Sequence, residues 1–171
     1  MKFSLLVFCI LLCISCSTAQ NKSSVRSETK NTDSSLVYQG EKIIKTDLEW
    51  RSILSEESYH ILREKGTEYP YTSSLLKNKR KGIYYCAACE LPLFYSESKF
   101  ESGCGWPSYF EPVHARNVTE IEDRTHGMIR TEIQCSKCGG HLGHVFDDGP
   151  PPTGLRYCIN GDALKFKERQ N

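Results

Sequence analysis

The order of apolar and polar positions divides the chain into three stretches. An apolar run from Phe3 to Ile14, broken only by Ser4, follows a single Lys. It is too short to cross a bilayer as a helix of roughly 20 residues. It fits the core of a secretory signal peptide, with a short membrane anchor as the alternative. From Ser17 to Ser35 polar residues dominate, and such a stretch cannot bury a core. We therefore assign residues 1–19 to a signal, 20–45 to a flexible linker and 46–168 to a folded domain.

The domain begins with two helical patterns. Thr46 or Asp47 can cap a short helix carrying Leu48, Trp50, Ile53 and Leu54. Ser55 can cap a second, with Glu56 and Glu57 in its first turn, where they complement the helix dipole. Ile61 and Leu62 supply its apolar face, Arg63 and Lys65 suit its end, and Gly66 stops it. After Gly82 the pattern changes to short strands at 83–86, 93–95, 128–133, 144–146, 156–159 and 164–166, separated by Gly, Pro and Asp. This spacing predicts a compact, mainly antiparallel β-domain.

Composition narrows the function classes. The chain has 171 residues, enough for one domain, and 22 basic against 21 acidic residues give a formal net charge of +1. No basic block marks a nucleic-acid partner.

The cysteines carry more information. Cys9, Cys13 and Cys16 lie in the leading segment. Cys16 directly after the apolar run resembles a loose bacterial lipobox, which predicts a lipid anchor. Ser17-Thr18-Ala19 before Gln20 suits ordinary cleavage instead. Export to the bacterial periplasm or as a membrane-anchored lipoprotein is expected, with soluble secretion as the alternative.

Cys86-Ala-Ala-Cys89 and Cys135-Ser-Lys-Cys138 form two C-x-x-C pairs. Two such knuckles complete a tetrahedral four-thiolate set, the closed geometry of one structural zinc. Gly139-Gly140 gives the second turn backbone freedom. A dithiol redox motif lacks the strand–helix context it needs. A local site from Cys135, Cys138, His141 and His144 would be hard to wrap around one ion and would strand Cys86 and Cys89.

Cys104 and Cys158 remain. Cys104 lies in the loop Ser-Gly-Cys-Gly-Trp-Pro-Ser, and Cys158 follows Arg156-Tyr157 on a predicted strand. A mobile cysteine facing a fixed one suits thiol–disulfide exchange. Arg156 is placed to lower the Cys158 thiol pKa, and Arg156, Cys158 and Asn160 should share a strand face. A buried inert cysteine plus a surface one fits the spacing equally well. Trp106 and Phe146 read by default as core, and His60, His114 and His126 carry no accompanying signal.

Taken together, Ser102-Gly-Cys-Gly-Trp-Pro-Ser-Tyr109, the run from Cys135 through Gly-Gly-His-Leu-Gly-His to Phe146, and Arg156-Tyr-Cys-Ile-Asn160 closely resemble the methionine-R-sulfoxide reductase (type B) family. Thr131-Glu132 and the helix ending at Gly66 match as well, so the likeness runs from about Asp47 to Lys167. Tyr109 departs from it, since many members carry Phe there.

The resemblance implies two antiparallel β-sheets in a tent arrangement with short N-terminal helices, and a zinc remote from the active site. It implies reduction of methionine-R-sulfoxide, mainly in proteins or peptides, by a monomer recycled by a thioredoxin-like reductant. Cys158 matches the nucleophile and Cys104 the resolving cysteine. Trp106 matches the wall that receives the substrate methyl group, with Phe146 beside it. His141, His144 and Asn160 match the polar network around the sulfoxide oxygen, and Arg156 stands beside the nucleophile. A histidine, with an unperturbed pKa of about 6.5, suits proton delivery to that oxygen; His144 is the expected donor.

Overall fold

Local capping sets the two helices. The computed structural model describes residues 33–169; the expected signal, Cys9, Cys13, Cys16 and the first part of the linker lie outside them. Helix α1 (Asp47–Ile53) starts at Thr46, whose side chain accepts from Glu49 N while the Glu49 carboxylate accepts from Thr46 N. Of its apolar positions Trp50 is buried, whereas Leu48 and Ile53 are exposed. Helix α2 (Glu56–Glu64) starts at Ser55 as expected. It ends at Lys65, which itself adopts the left-handed conformation (φ 58°). Gly66 has a different reason to be glycine: a Cβ there would lie 2.2 Å from the His60 ring.

The linker expected to reach residue 45 is tied down earlier. Tyr38 N donates to Asn117 Oδ1 (2.8 Å) and Ile43 N to the Lys137 carbonyl (2.8 Å). The side chains of Tyr38 and Ile43 pack on the core. The short apolar clusters Leu36-Val37-Tyr38 and Ile43-Ile44, set apart by polar residues, give no periodic signal.

Nine strands are present among the described residues. β1 (Gly82–Cys86), β2 (Pro92–Tyr95) and β9 (Leu164–Glu168) form one antiparallel sheet in the order β2-β1-β9. The second sheet runs β3-β4-β8-β7-β6-β5, from β3 (Lys99–Phe100), β4 (Ser108–Tyr109), β5 (Val118–Asp123), β6 (Arg130–Cys135), β7 (His141–Phe146) and β8 (Arg156–Ile159). Every pairing in it is antiparallel. The fold class is therefore the expected one. β3, β4 and β5 were not legible in the pattern: the first two are two residues each, and β5 is an edge strand with only Val118 buried.

Aromatic rings join the sheets. Tyr109 on β4 stacks on Phe94 of β2 at 4.3 Å and meets Tyr84 of β1 edge-on at 5.2 Å. Trp50, Ile61 and Leu62 from the helices complete one core. α2 lies against β7, where Gly140 leaves room for Leu62 (a Cβ would sit 2.9 Å from Leu62 Cδ2).

Candidate active site and metal centre

The metal centre follows from two matching turns. Each C-x-x-C knuckle places a backbone bond from its fifth residue to its first: Glu90 N to Cys86 O (2.9 Å) and Gly139 N to Cys135 O (2.8 Å). Glu90 and Gly139 both take positive φ, 56° and 69°. The four sulfurs of Cys86, Cys89, Cys135 and Cys138 all lie within 4.8 Å of one another. Contacts across the knuckles are 3.6 Å (Cys86–Cys138) and 3.4 Å (Cys89–Cys135). Two thiolates on a tetrahedral zinc stand roughly 3.8 Å apart, so the set fits a four-coordinate ion. Because one knuckle joins β1 to β2 and the other joins β6 to β7, a bound metal would staple the two sheets together. Arg63 of α2 donates to the Cys138 carbonyl (3.0 Å).

The second site is built on one row across the large sheet. Ser108 of β4 pairs with Cys158 of β8, Cys158 with His144 of β7, and His144 with Glu132 of β6. Directly opposed residues in antiparallel strands point to the same face. His141 would face away from His144 in a regular strand, three residues being an odd separation. A register shift corrects this: Ile133 pairs with Gly143 and Gln134 with His141, leaving Leu142 as an extra residue. Both imidazoles therefore stand on one face, their ring centres 5.5 Å apart. The bulge also leaves the Leu142 carbonyl to accept from Asn160 N (2.9 Å) and Nδ2 (3.0 Å). Gly143 (φ 156°) sits where a Cβ would lie 2.0 Å from the Cys158 carbonyl oxygen.

These residues line a cavity of about 420 Å³, with Trp106, His141, His144, Phe146, Cys158 and Asn160 in its wall. That size suits a small side chain or ligand. Neither Trp106 nor Phe146 is core, so the default reading of both is corrected: each is half-buried and faces the cavity. Trp106 is fixed by its Nε1 donating to the Glu68 carbonyl (3.1 Å). Glu68 N donates to Asn160 Oδ1 (3.2 Å), and the Glu68 carboxylate accepts from Gly161 N and Asp162 N. One residue thus holds two walls of the cavity.

Cys104 and Cys158 are brought together, with sulfurs 3.6 Å apart and both free. They face different spaces. Cys158 lines the histidine cavity, whereas Cys104 lines a separate groove with Phe100, Gly103, Asp148, Pro150 and Arg156. Burial pushes the Cys104 thiol up. The Ser102 hydroxyl (3.0 Å), Ser108 (3.4 Å) and the other hydrogen bonds to its sulfur outweigh that and bring it down to about 7. Burial, and then the neighbouring Cys104, push the Cys158 thiol up to about 12. Arg156 opposes this, as the sequence suggests, but does not prevail. Its guanidinium is engaged by Asp148 through two 2.8 Å bonds and lies over the Phe146 ring. Arg156 and Cys158 share a face of β8 as expected, and Asn160 lies just past the strand's end.

Sequence reasoning missed the groups behind the histidines. Glu132 accepts from His141 Nδ1 (2.7 Å) and from Lys65 (2.8 Å). Asp123 accepts from His144 Nε2 (2.8 Å), Arg130 (2.7 Å) and Thr125. Glu132 alternates with apolar residues and so resembles the solvent side of a strand, although it is buried. For Asp123 the spacing Asp-x-Thr does signal a local side-chain turn.

A protein-family model described as the SelR domain matches residues 54–168. A protein of Agrobacterium fabrum named peptide methionine sulfoxide reductase MsrB is 63% identical over 126 residues, covering 74% of this chain and 93% of its own length. Proteins of the same name from Pseudomonas putida and Leptospira interrogans are 56% and 58% identical, covering 75% and 74% of this chain and 97% of each relative.

Proposed function

The chain belongs to the SelR-domain family of methionine-R-sulfoxide reductases, and on that premise we propose a cycle in which Cys158 attacks the sulfoxide and Cys104 closes a disulfide. The overall activity is reduction of methionine-R-sulfoxide to methionine, a repair of oxidised protein, with a thiol reductant as the electron source.

The observation that carries the order of the two cysteines is their division between spaces: Cys158 alone lines the histidine cavity. In the cycle the substrate methyl group lies against Trp106 and Phe146, and the sulfoxide oxygen faces His141, His144 and Asn160. Hydrogen bonding or protonation at that oxygen makes the sulfur electrophilic, and His144 supplies the proton. Cys158, held protonated at rest by burial, yields its proton to the histidine network as its sulfur attacks, so the step is neutral overall. Methionine leaves and Cys158 becomes a sulfenic acid. The Cys104 thiol condenses with it, forming the S–S bond and releasing water. An external dithiol of the thioredoxin kind then reduces that bond and is itself oxidised to a disulfide. A Cys104 thiol near 7 is substantially thiolate at neutral pH, which suits fast condensation.

The metal is zinc in this reading, one ion held by Cys86, Cys89, Cys135 and Cys138. With all four positions taken by thiolates it supplies structure and no open site for water. The enzyme works as a monomer, exported and anchored through a lipid on Cys16. That export reading rests on the apolar run before Cys16, and mass measurement of the mature N-terminus tests it.

Activity on the two sulfoxide epimers of a peptide tests the main reading. Cys158→Ser is expected to lose reduction of the R epimer entirely. Wild-type activity confined to the S epimer, or full activity in Cys158→Ser, would contradict it.

A further inference from the structure

Two parallel arrangements share the cavity wall with the histidines. Lys65 holds Glu132 and Glu132 holds His141 Nδ1; Arg130 holds Asp123 and Asp123 holds His144 Nε2. Burial pushes the Glu132 carboxyl up, but hydrogen bonds from Lys65, Gln134 and His141 hold it below its ordinary value. The bonds from Thr125, His144 and Arg130 hold Asp123 well below the usual carboxylate range. An ionised carboxylate only accepts, so the ring nitrogen it touches must carry the hydrogen. The two contacts use different nitrogens.

We propose that Glu132 and Asp123 are positioning residues that lock His141 and His144 in opposite tautomers, with His141 protonated on Nδ1 and His144 on Nε2. This rests on the reading of both histidines as the groups that handle the sulfoxide oxygen. The ring atoms left for that oxygen are then His141 Nε2 and His144 Nδ1. Burial lowers the His141 pKa against the pull of Glu132, so its Nε2 keeps a free lone pair that can take up a proton; the sulfoxide oxygen, itself only an acceptor, takes its hydrogen from His144. His144 becomes the donor, through Nδ1, once its ring takes a second proton. The dyads also explain why a lysine occupies the left-handed end of α2: Lys65, at φ 58°, reaches a carboxylate only 3% exposed.

The test is nitrogen-15 NMR of histidine-labelled, reduced, zinc-loaded protein, recorded above the imidazole titration range. The expected spectrum has an Nδ1–H ring for His141 and an Nε2–H ring for His144. In Glu132→Gln the His141 ring should lose its single tautomer, and in Asp123→Asn the same should hold for His144. In each variant kcat should fall at least about tenfold while KM changes less, since both carboxylates, although they line the cavity, are engaged by the histidines and by Lys65 and Arg130. The same tautomer in both wild-type rings, or variants with wild-type tautomers and kcat, would overturn the proposal. The wild-type spectrum needs neither turnover nor a folded variant. Its failure leaves the reductase cycle standing, whereas an active Cys158→Ser would overturn the cycle and leave the tautomers untouched.

Discussion

Cys158 on β8 and His144 on β7 are directly opposed across an antiparallel pair, so thiol and imidazole rise from the same face of the sheet. The relationship depends on Gly143, which lets the two strands approach, and the bulge at Leu142 brings His141 onto the same face.

Gly143 is accordingly a sensitive position. In Gly143→Ala the new methyl group meets the backbone of Cys158, which cannot rotate away as a side chain would. We expect a stability loss of about 1–3 kcal/mol by denaturant unfolding and a fall in kcat of at least about tenfold, as β7 and β8 part. Wild-type stability and kcat would show that the strands are not so closely apposed.

The two redox thiols should titrate apart. Cys104, at about 7, becomes thiolate as pH rises through neutrality, while Cys158, at about 12, stays protonated. Iodoacetamide labelling of the reduced protein should therefore mark Cys104 first, with a rate that falls as pH drops below 7. Peptide mapping that finds Cys158 labelled first would contradict the assignment.

Metal removal should act on the fold. Structural zinc couples on the order of 10 kcal/mol of binding to folding in small systems. Metal analysis should find one zinc per chain, and a strong chelator should lower Tm sharply, with activity lost in step. Unchanged Tm after complete zinc loss would show that the knuckles do not staple the sheets.

Tyr109 is fully buried, and its hydroxyl has only a poorly formed contact with the Tyr84 hydroxyl among the described residues. Tyr109→Phe keeps the stack on Phe94 and removes a poorly compensated polar group. Thermal unfolding should show equal stability or a gain of about 1 kcal/mol. A loss of that size would reveal a partner for the hydroxyl.

Legibility followed the range of each interaction. The helix starts were readable because capping acts over three residues, as from Thr46 to Glu49. The four metal-site cysteines were readable because each knuckle is a local turn. The proximity of Cys104 to Cys158 was not readable from spacing, since it depends on β4 pairing with β8; flanking motifs supplied it. Asp123 was overlooked, and Glu132 was matched without a role, because a carboxylate on a strand usually faces water, and only the pairing of β5, β6 and β7 turns these two toward histidines. The same applies to β5 itself, whose Thr-Glu-Ile-Glu run has no buried alternation.

The order of the cysteines is the central claim, and one turnover without reductant tests it. Cys104→Ser, mixed with an excess of peptide methionine-R-sulfoxide, should form one equivalent of methionine and carry one added oxygen atom on Cys158, trappable as a sulfenic acid by mass spectrometry. No methionine formed by this variant, or an oxygen found elsewhere with Cys158 unmodified, would contradict the account.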